Sequence, residues 1–365
     1  MSLRISSALL FFASVALVTT LGNAQSKSAN GDGGPAIEAT INGPSAISVD
    51  KSGNLYILEL LASRVRMVDA KTGVIQTIAG NGLECCFEES KDARSSAFFG
   101  PDSIAIDHDG DIYVAEVLAH IRRIAATTGI GTTVVSTLVG KGADKPGIAP
   151  SLPTYERVEG LAIDATDTLY VAGGSSGKIY TISHGVVSVF AGVGGHGFKG
   201  DGKPASEAQF NWPMGIAFDP AGDLIIADYE NCRIRRIDKV SNLVSTIAGT
   251  GECRSGSSGG RGTETPIDRP SNVAVDSTGN IYFNDASPAC VRKIDAKTMS
   301  ISSVPGTCEP KAGKTGRPSG LAVDKEGNLF VSEIGSNVVL RIDAKTGAVT
   351  TVAGNGLPDR IDIML

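Results

Sequence analysis

Residues 45–59 read SAISVDKSGNLYILE: an apolar run, an Asp, a polar turn containing a Gly, and a second apolar run. The same sentence returns five times. It appears as DSIAIDHDGDIYVAE from Asp102, EGLAIDATDTLYVAG from Glu159, MGIAFDPAGDLIIAD from Met214, SNVAVDSTGNIYFND from Ser271 and SGLAVDKEGNLFVSE from Ser319. The shared Asp falls at Asp50, Asp107, Asp164, Asp219, Asp276 and Asp324, in steps of 57, 57, 55, 57 and 48 residues. A linker phrase repeats with it. GDGGPAIEATINGPSAISVD (31–50) and GDGKPASEAQFNWPMGIAFD (200–219) stand three repeats apart and align without a gap. Self-similarity at such a period is the mark of a repeat architecture and governs every later inference.

Each repeat breaks into four short apolar runs; in the first these are AISV, NLYIL, RVRMVD and VIQTIAG. They are rich in β-branched residues and separated by turn residues, which predicts strands. Asp-x-x-Gly between the first two runs, and Lys-Thr-Gly at 71–73 and 345–347 between the third and fourth, supply hairpin turns. Four antiparallel strands per repeat of about 50 residues make a propeller blade. A lone blade cannot bury both faces, but stacked neighbours can. The expected fold is therefore all-β, a six-bladed β-propeller of four-stranded antiparallel blades at about 44–82, 101–142, 158–192, 213–253, 270–308 and 318–356. NGDGGPA at 30–36 and AGNGLPDR at 353–360 read as two halves of one inter-blade linker, as a closed ring requires. Every repeat holds its own fourth strand, so none is borrowed across the seam. Residues 25–43 form the N-terminal linker that completes the ring, 44–360 the propeller and 361–365 a tail.

Residues 1–24 stand apart. Arg4 precedes an apolar run from Ala8 to Val18, and Gly22 and Ala24 occupy the small-residue positions of a cleavage site. This reads as a secretory signal peptide cut before Gln25, and its run is shorter than the roughly 20 residues of a spanning helix. A secreted or periplasmic location is expected, with no membrane span after signal removal. The formal charge of −6 becomes −7 without Arg4. That balance lacks the basic footprint of a nucleic-acid binder. With 45 Gly and only 5% aromatic residues among 41% apolar ones, the composition suits short strands and tight turns.

PSGLAVDKEGNLFVSE, ADYENCRIRRID and LVSTIAGTGEC resemble the NHL repeat. The likeness covers nearly all of the chain after the leader and is that of a secreted bacterial six-bladed propeller. It implies several possible functions: protein-binding platforms, RNA readers in some animal regulators, and sensor or secreted modules in bacteria. Related peptidyl-hydroxyglycine amidating lyases use a similar ring for catalysis. Fold alone does not choose among these.

Candidate site residues follow from the repeat. An acid recurs after the second run: Glu59, Glu116, Asp228, Asp285 and Glu333, with Gly173 in the third repeat. Carboxylates around one mouth of the channel could bind a ligand or a divalent cation. Alternatively, each serves its own blade, since Arg64, His120, Lys178 and Arg233 open the third strands four or five residues on. DHDGD (107–111) starts like a calcium loop but lacks the later Glu such loops need. Of four His, His108 and His184 fall on hairpin turns of one face, and His120 and His196 on loops of the other. Two His make a poor zinc site, so no metal, cofactor or catalytic set is expected. GVGGHGFKGDG (192–202) is expected to be a flexible connection rather than a phosphate cradle.

Six Cys in an exported chain suggest disulfides. Antiparallel pairing opposes the start of the third strand to the end of the fourth. That predicts Cys232–Cys253 and Cys290–Cys308, and leaves Cys85 and Cys86 unassigned. The expected function is a monomeric, non-catalytic scaffold. It would bind a protein, glycan or small molecule through the linker-face loops 81–100, 141–157, 192–212 and 250–269. The alternative is a lyase or hydrolase acting on a small extracellular substrate at the channel mouth.

Overall fold

The computed structural model describes residues 30–84, 92–117, 119–126, 135–139 (backbone only), 152, 156–184, 186–254, 256–308 and 316–357. The leader, Cys85 and Cys86, most of the 141–157 loop and the 361–365 tail lie outside these residues. Among them no helix is long and apolar enough to cross a membrane.

Six antiparallel sheets of four strands surround an axis, and each sheet runs in strict chain order from the axis outward. Blade one comprises Pro44–Val49, Leu55–Glu59, Arg64–Val68 and Ile75–Ala79. The other blades span 101–139, 158–191, 213–248, 273–303 and 318–353. The expected fold class holds, and no strand is borrowed across the seam.

The hairpin Asp works as a turn residue. Asp50 Oδ1 accepts the N–H groups of Ser52 (2.8 Å) and Asn54 (2.9 Å). Asp107, Asp164, Asp219 and Asp276 repeat both bonds, and Asp324 accepts from Asn328. At the next hairpin Asp69 and Asp343 cap the Lys-Thr-Gly turns. DHDGD is one of these turns: Asp107 caps it, and Asp111 accepts from Arg123 Nε (2.6 Å).

Six hydrophobic clusters fill the six gaps between blades. The gap at the seam is packed like the rest. Ile41, Leu55, Ile57 and Ile75 of the first blade and its linker meet Ala322, Phe330, Val339 and Ala353 of the last. Each described linker has a short 3-10 turn that caps the preceding blade. The N–H groups of Gly80, Gly192 and Gly249 donate to the carbonyls of Ala93, Ala205 and Gly262. Across the seam, Gly354 and Asn355 donate to Ala36 and Ala39. The same linkers also edge the blade they lead into, through Gly33 and Gly34 on Ile75, and Gly202 and Lys203 on Val244.

Candidate functional site

The recurrent acids are interior. Glu59, Glu116, Asp228, Asp285 and Glu333 are all buried, so the expected ring around an open mouth is replaced by five carboxylates inside the blades. For four of the five a buried arginine explains the burial; blade six has Leu340 at the equivalent position. Alternation along the third strand turns Arg66, Arg122, Arg235 and Arg292 inward, and all four are buried. Arg66 meets Glu59 at 3.0 Å, Arg122 meets Glu116 at 3.7 Å, Arg235 meets Asp228 at 3.4 Å and Arg292 meets Asp285 at 3.0 Å. The acids also accept N–H groups from the segment entering their own blade: Phe99 on Glu116 (2.7 Å), Asn211 on Asp228 (2.8 Å) and Asp268 on Asp285 (2.9 Å). Burial pushes Asp228 and Asp285 up to about 6, against the restraining hydrogen bonds and arginines.

The repeated GDG phrase belongs to this system. Asp32 meets Arg66 at 2.7 Å and Asp201 meets Arg235 at 2.7 Å, so the linker is tied to the same buried guanidinium as the acid. Arg64 and His120 pair with their acids as expected, at 2.8 and 2.7 Å. Arg233 does not; it donates to the carbonyls of Asn231 and Thr250 and covers the Phe198 ring. In blade three Gly173 leaves space for another chain segment. A Cβ there would lie 2.8 Å from the Glu156 carboxyl carbon, and Glu156 accepts the Ser176 N–H and the Tyr180 hydroxyl, each at 3.1 Å. The missing acid is thus supplied from the linker.

The channel mouth is built by other residues. The inner segments open on Ser45, Asp102, Glu159, Met214, Ser271 and Ser319, and the inner strands enclose a narrow cavity of about 240 Å³. Blades two to four break the repeat here. Glu159 Oε1 accepts from Arg157 Nε (2.8 Å) and Trp212 Nε1 (3.0 Å). Arg157 Nη2 stands 3.8 Å from Asp102. The exposed His196 ring stacks on Trp212 at 5.8 Å between centroids and 17° between planes. Burial, with Asp102 and Glu156 close by, pushes the Glu159 carboxyl up to about 7 despite Arg157. Burial also raises Asp102. The sequence did carry a signal. Before the Pro or Val that opens each inner segment stand Gly43, Gly100, Arg157, Trp212, Arg269 and Arg317, which is no repeat at all.

The histidines do not assemble. His108 Nδ1 faces Asp167 at 2.6 Å on the hairpin face, and His184 contacts Ser183. His120 is buried while His196 is exposed. Among the described residues no three His, Cys, Asp or Glu side chains group as metal ligands. The 192–202 run is pinned rather than loose. Gly195 N–H donates to Ser176, Gly197 accepts from Asn231 (2.8 Å), and Phe198 lies under Arg233 and Arg235. Cys232–Cys253 is a disulfide with a Cα separation of 5.3 Å. Cys290 and Cys308 are not joined in the structure. The inward shift puts Cys290 within the ladder, opposite Asp285. Burial and the adjacent Cys308 push its thiol up to about 12.

Six four-stranded blades, hairpins capped by a repeating Asp and linkers caught by buried arginines define a repeat propeller with a differentiated mouth. The chain belongs to the NHL-repeat family: the family model described as the teneurin NHL domain matches residues 15–87 and 74–258. Mouse teneurin-3 is 30% identical over 249 residues, covering 60% of this chain and 9% of that protein. Chicken NHL repeat-containing protein 2 is 27% identical over 301 residues, 73% of this chain and 40% of its own length. The chain thus spans well under half of either relative. Among solved structures, a streptogramin B lyase superposes with a TM-score of 0.53 at 13% identity, covering 86% of this chain and 84% of its own. An auxiliary nutrient binding protein from Bacteroides thetaiotaomicron gives 0.59 at 12% identity, with 86% and 70% coverage. Identities this low bear on the fold alone.

Proposed function

We propose that this propeller is an exported, non-catalytic binding platform whose ligand, a protein, glycan or small molecule, engages the linker face. One observation carries the reading. The blades repeat closely within their sheets, yet at the linker-face mouth Asp102, Arg157, Glu159, Trp212 and His196 depart from the repeat together. A solved propeller of the same fold is described as an auxiliary nutrient binding protein. The disulfide supports an oxidising compartment. The test exchanges residues 192–212 for the equivalent joint between blades six and one, which keeps the GDG and Pro-Ala anchors. Ligand capture from the organism's culture medium should fall while the melting transition persists. Unchanged capture would refute the platform at this face.

A second reading has its own observation. Glu159, pushed up to about 7 beside Arg157 and Asp102, has the proton affinity of a general acid or base near neutral pH, on a fold shared with a lyase. No turnover of small esters, lactones or amidated-glycine precursors is expected. Turnover that disappears in Glu159→Gln would decide for the enzyme.

A further inference from the structure

The rim of the mouth divides into two arcs. On blades one and two the rim residues are Gly43 and Gly100, and neighbouring apolar side chains take the vacated space. A Cβ at Gly43 would lie 2.7 Å from Leu61, and one at Gly100 2.8 Å from Val117. Leu61 is a large apolar side chain left 58% exposed. On blades three to six the same position carries Arg157, Trp212, Arg269 and Arg317. The rim is therefore apolar on blades one and two and cationic or aromatic on blades three to six.

Arg157 is the most developed member of that arc. Glu159, whose side chain is 1% exposed, holds Arg157 Nε from beneath, while the Arg157 side chain stays 57% exposed. A guanidinium held at Nε by Glu159, with Asp102 3.8 Å from Nη2, yet more than half exposed, is preorganised for an incoming oxyanion. Arg317 is exposed and makes no ion pair among the described residues, whereas Arg269 is shared with Glu230 and Asp268. Beside Arg157, Trp212 and His196 form a flat shelf on which a ring or aliphatic body could rest.

We propose that the mouth binds a monocarboxylate with an apolar body, Arg157 taking the carboxylate while the Trp212–His196 shelf takes the body. The proposal rests on the platform reading above and names its ligand class. Three alternatives fit less well. An ammonium would have to displace Arg157 from its carboxylates. A phosphate dianion would meet stronger repulsion from Asp102 and Glu159 than a single negative charge does. A neutral ligand would leave the guanidinium edge unused.

Trp212 is the sole Trp of the chain and donates its N–H within the site, so its fluorescence reports occupancy directly. The full chain is titrated at neutral pH with cyclohexanecarboxylate, cyclohexylamine and inorganic phosphate. A saturable response to the carboxylate is expected, weakened about tenfold or more in Arg157→Gln, the loss expected for one charge-assisted hydrogen bond. His196→Ser should weaken the carboxylate by a smaller factor, since it removes half of the shelf. Both substitutions are on exposed side chains, and an unchanged melting curve shows that the fold is intact. The proposal is overturned by the absence of saturation, by amine or phosphate binding as tightly as the carboxylate, or by unchanged affinity in Arg157→Gln. Such a failure is distinct from failure of the platform, which the 192–212 exchange tests with the natural ligand.

Discussion

At the scale of single residues, buried arginine is the device that holds linker and blade together. Arg235 binds Asp228 and Asp201 and also donates to the carbonyls of Gln209 and Lys199, so one side chain fixes two segments of linker to the third strand. Removing such a group leaves buried charge without its partner, a loss of about 3–5 kcal/mol. Arg235→Ala is expected to fall in that range by urea denaturation. Asp201→Asn should lose about 1 kcal/mol or less, because the Asp201 side chain is partly exposed. Glu159 sets a pH dependence. Its folded affinity for a proton, about 7, exceeds the ordinary carboxyl value of 4.5. Its contribution to stability is therefore full below about pH 4.5 and lost as pH rises through about 7. Glu159→Gln should flatten the stability profile across that window, measured by denaturation at a series of pH values. The repeating acids and two of their partners, Arg64 and His120, were readable from sequence, but the buried arginines were not. Arg66 and its equivalents differ from Arg64 only by standing one strand period further in, and nothing linear marks which of two alternating positions is sealed by the neighbouring blade.

At the scale of elements, the hairpins were the most legible part of the chain, because Asp and Gly there perform local work that needs no tertiary partner. The Cys pairs show where such local reasoning ends. Cys232 lies just before its third strand, in a left-handed conformation (φ 49°), and its sulfur reaches Cys253 beyond the fourth. Cys290 occupies a ladder position instead, and opposition of strand ends places Cys308 nearby without joining the sulfurs. Cys232→Ser should destabilise by about 3 kcal/mol, the chain-entropy value for a loop of this length, whereas Cys290→Ser should do so by less. Comparison of the two melting transitions under non-reducing conditions checks this. The mouth was partly legible too. The residue before each strand-opening Pro or Val could have been tabulated from sequence, but only the ring geometry shows that these six positions face one opening.

At the scale of the whole molecule, the fold followed from period and count, and the closed ring is what converts six marginal sheets into one stable object. The joint between blades six and one uses the same bonds as the internal joints, with the 3-10 turn Ala36–Glu38 capping Gly354 and Asn355. A chain starting at Pro44 should therefore lose Ala36, Ala39 and Ile41 from the seam core. Its melting temperature should drop and its binding of a hydrophobic dye should rise; unchanged values would show that the linker is dispensable. Because that joint is chemically interchangeable with the others, the place where the polypeptide is cut is arbitrary with respect to the architecture. Residues 357 and 30 could be bridged by a short peptide and new termini opened between blades three and four. The ring would then be permuted by half a turn, its latch moved and its shape kept.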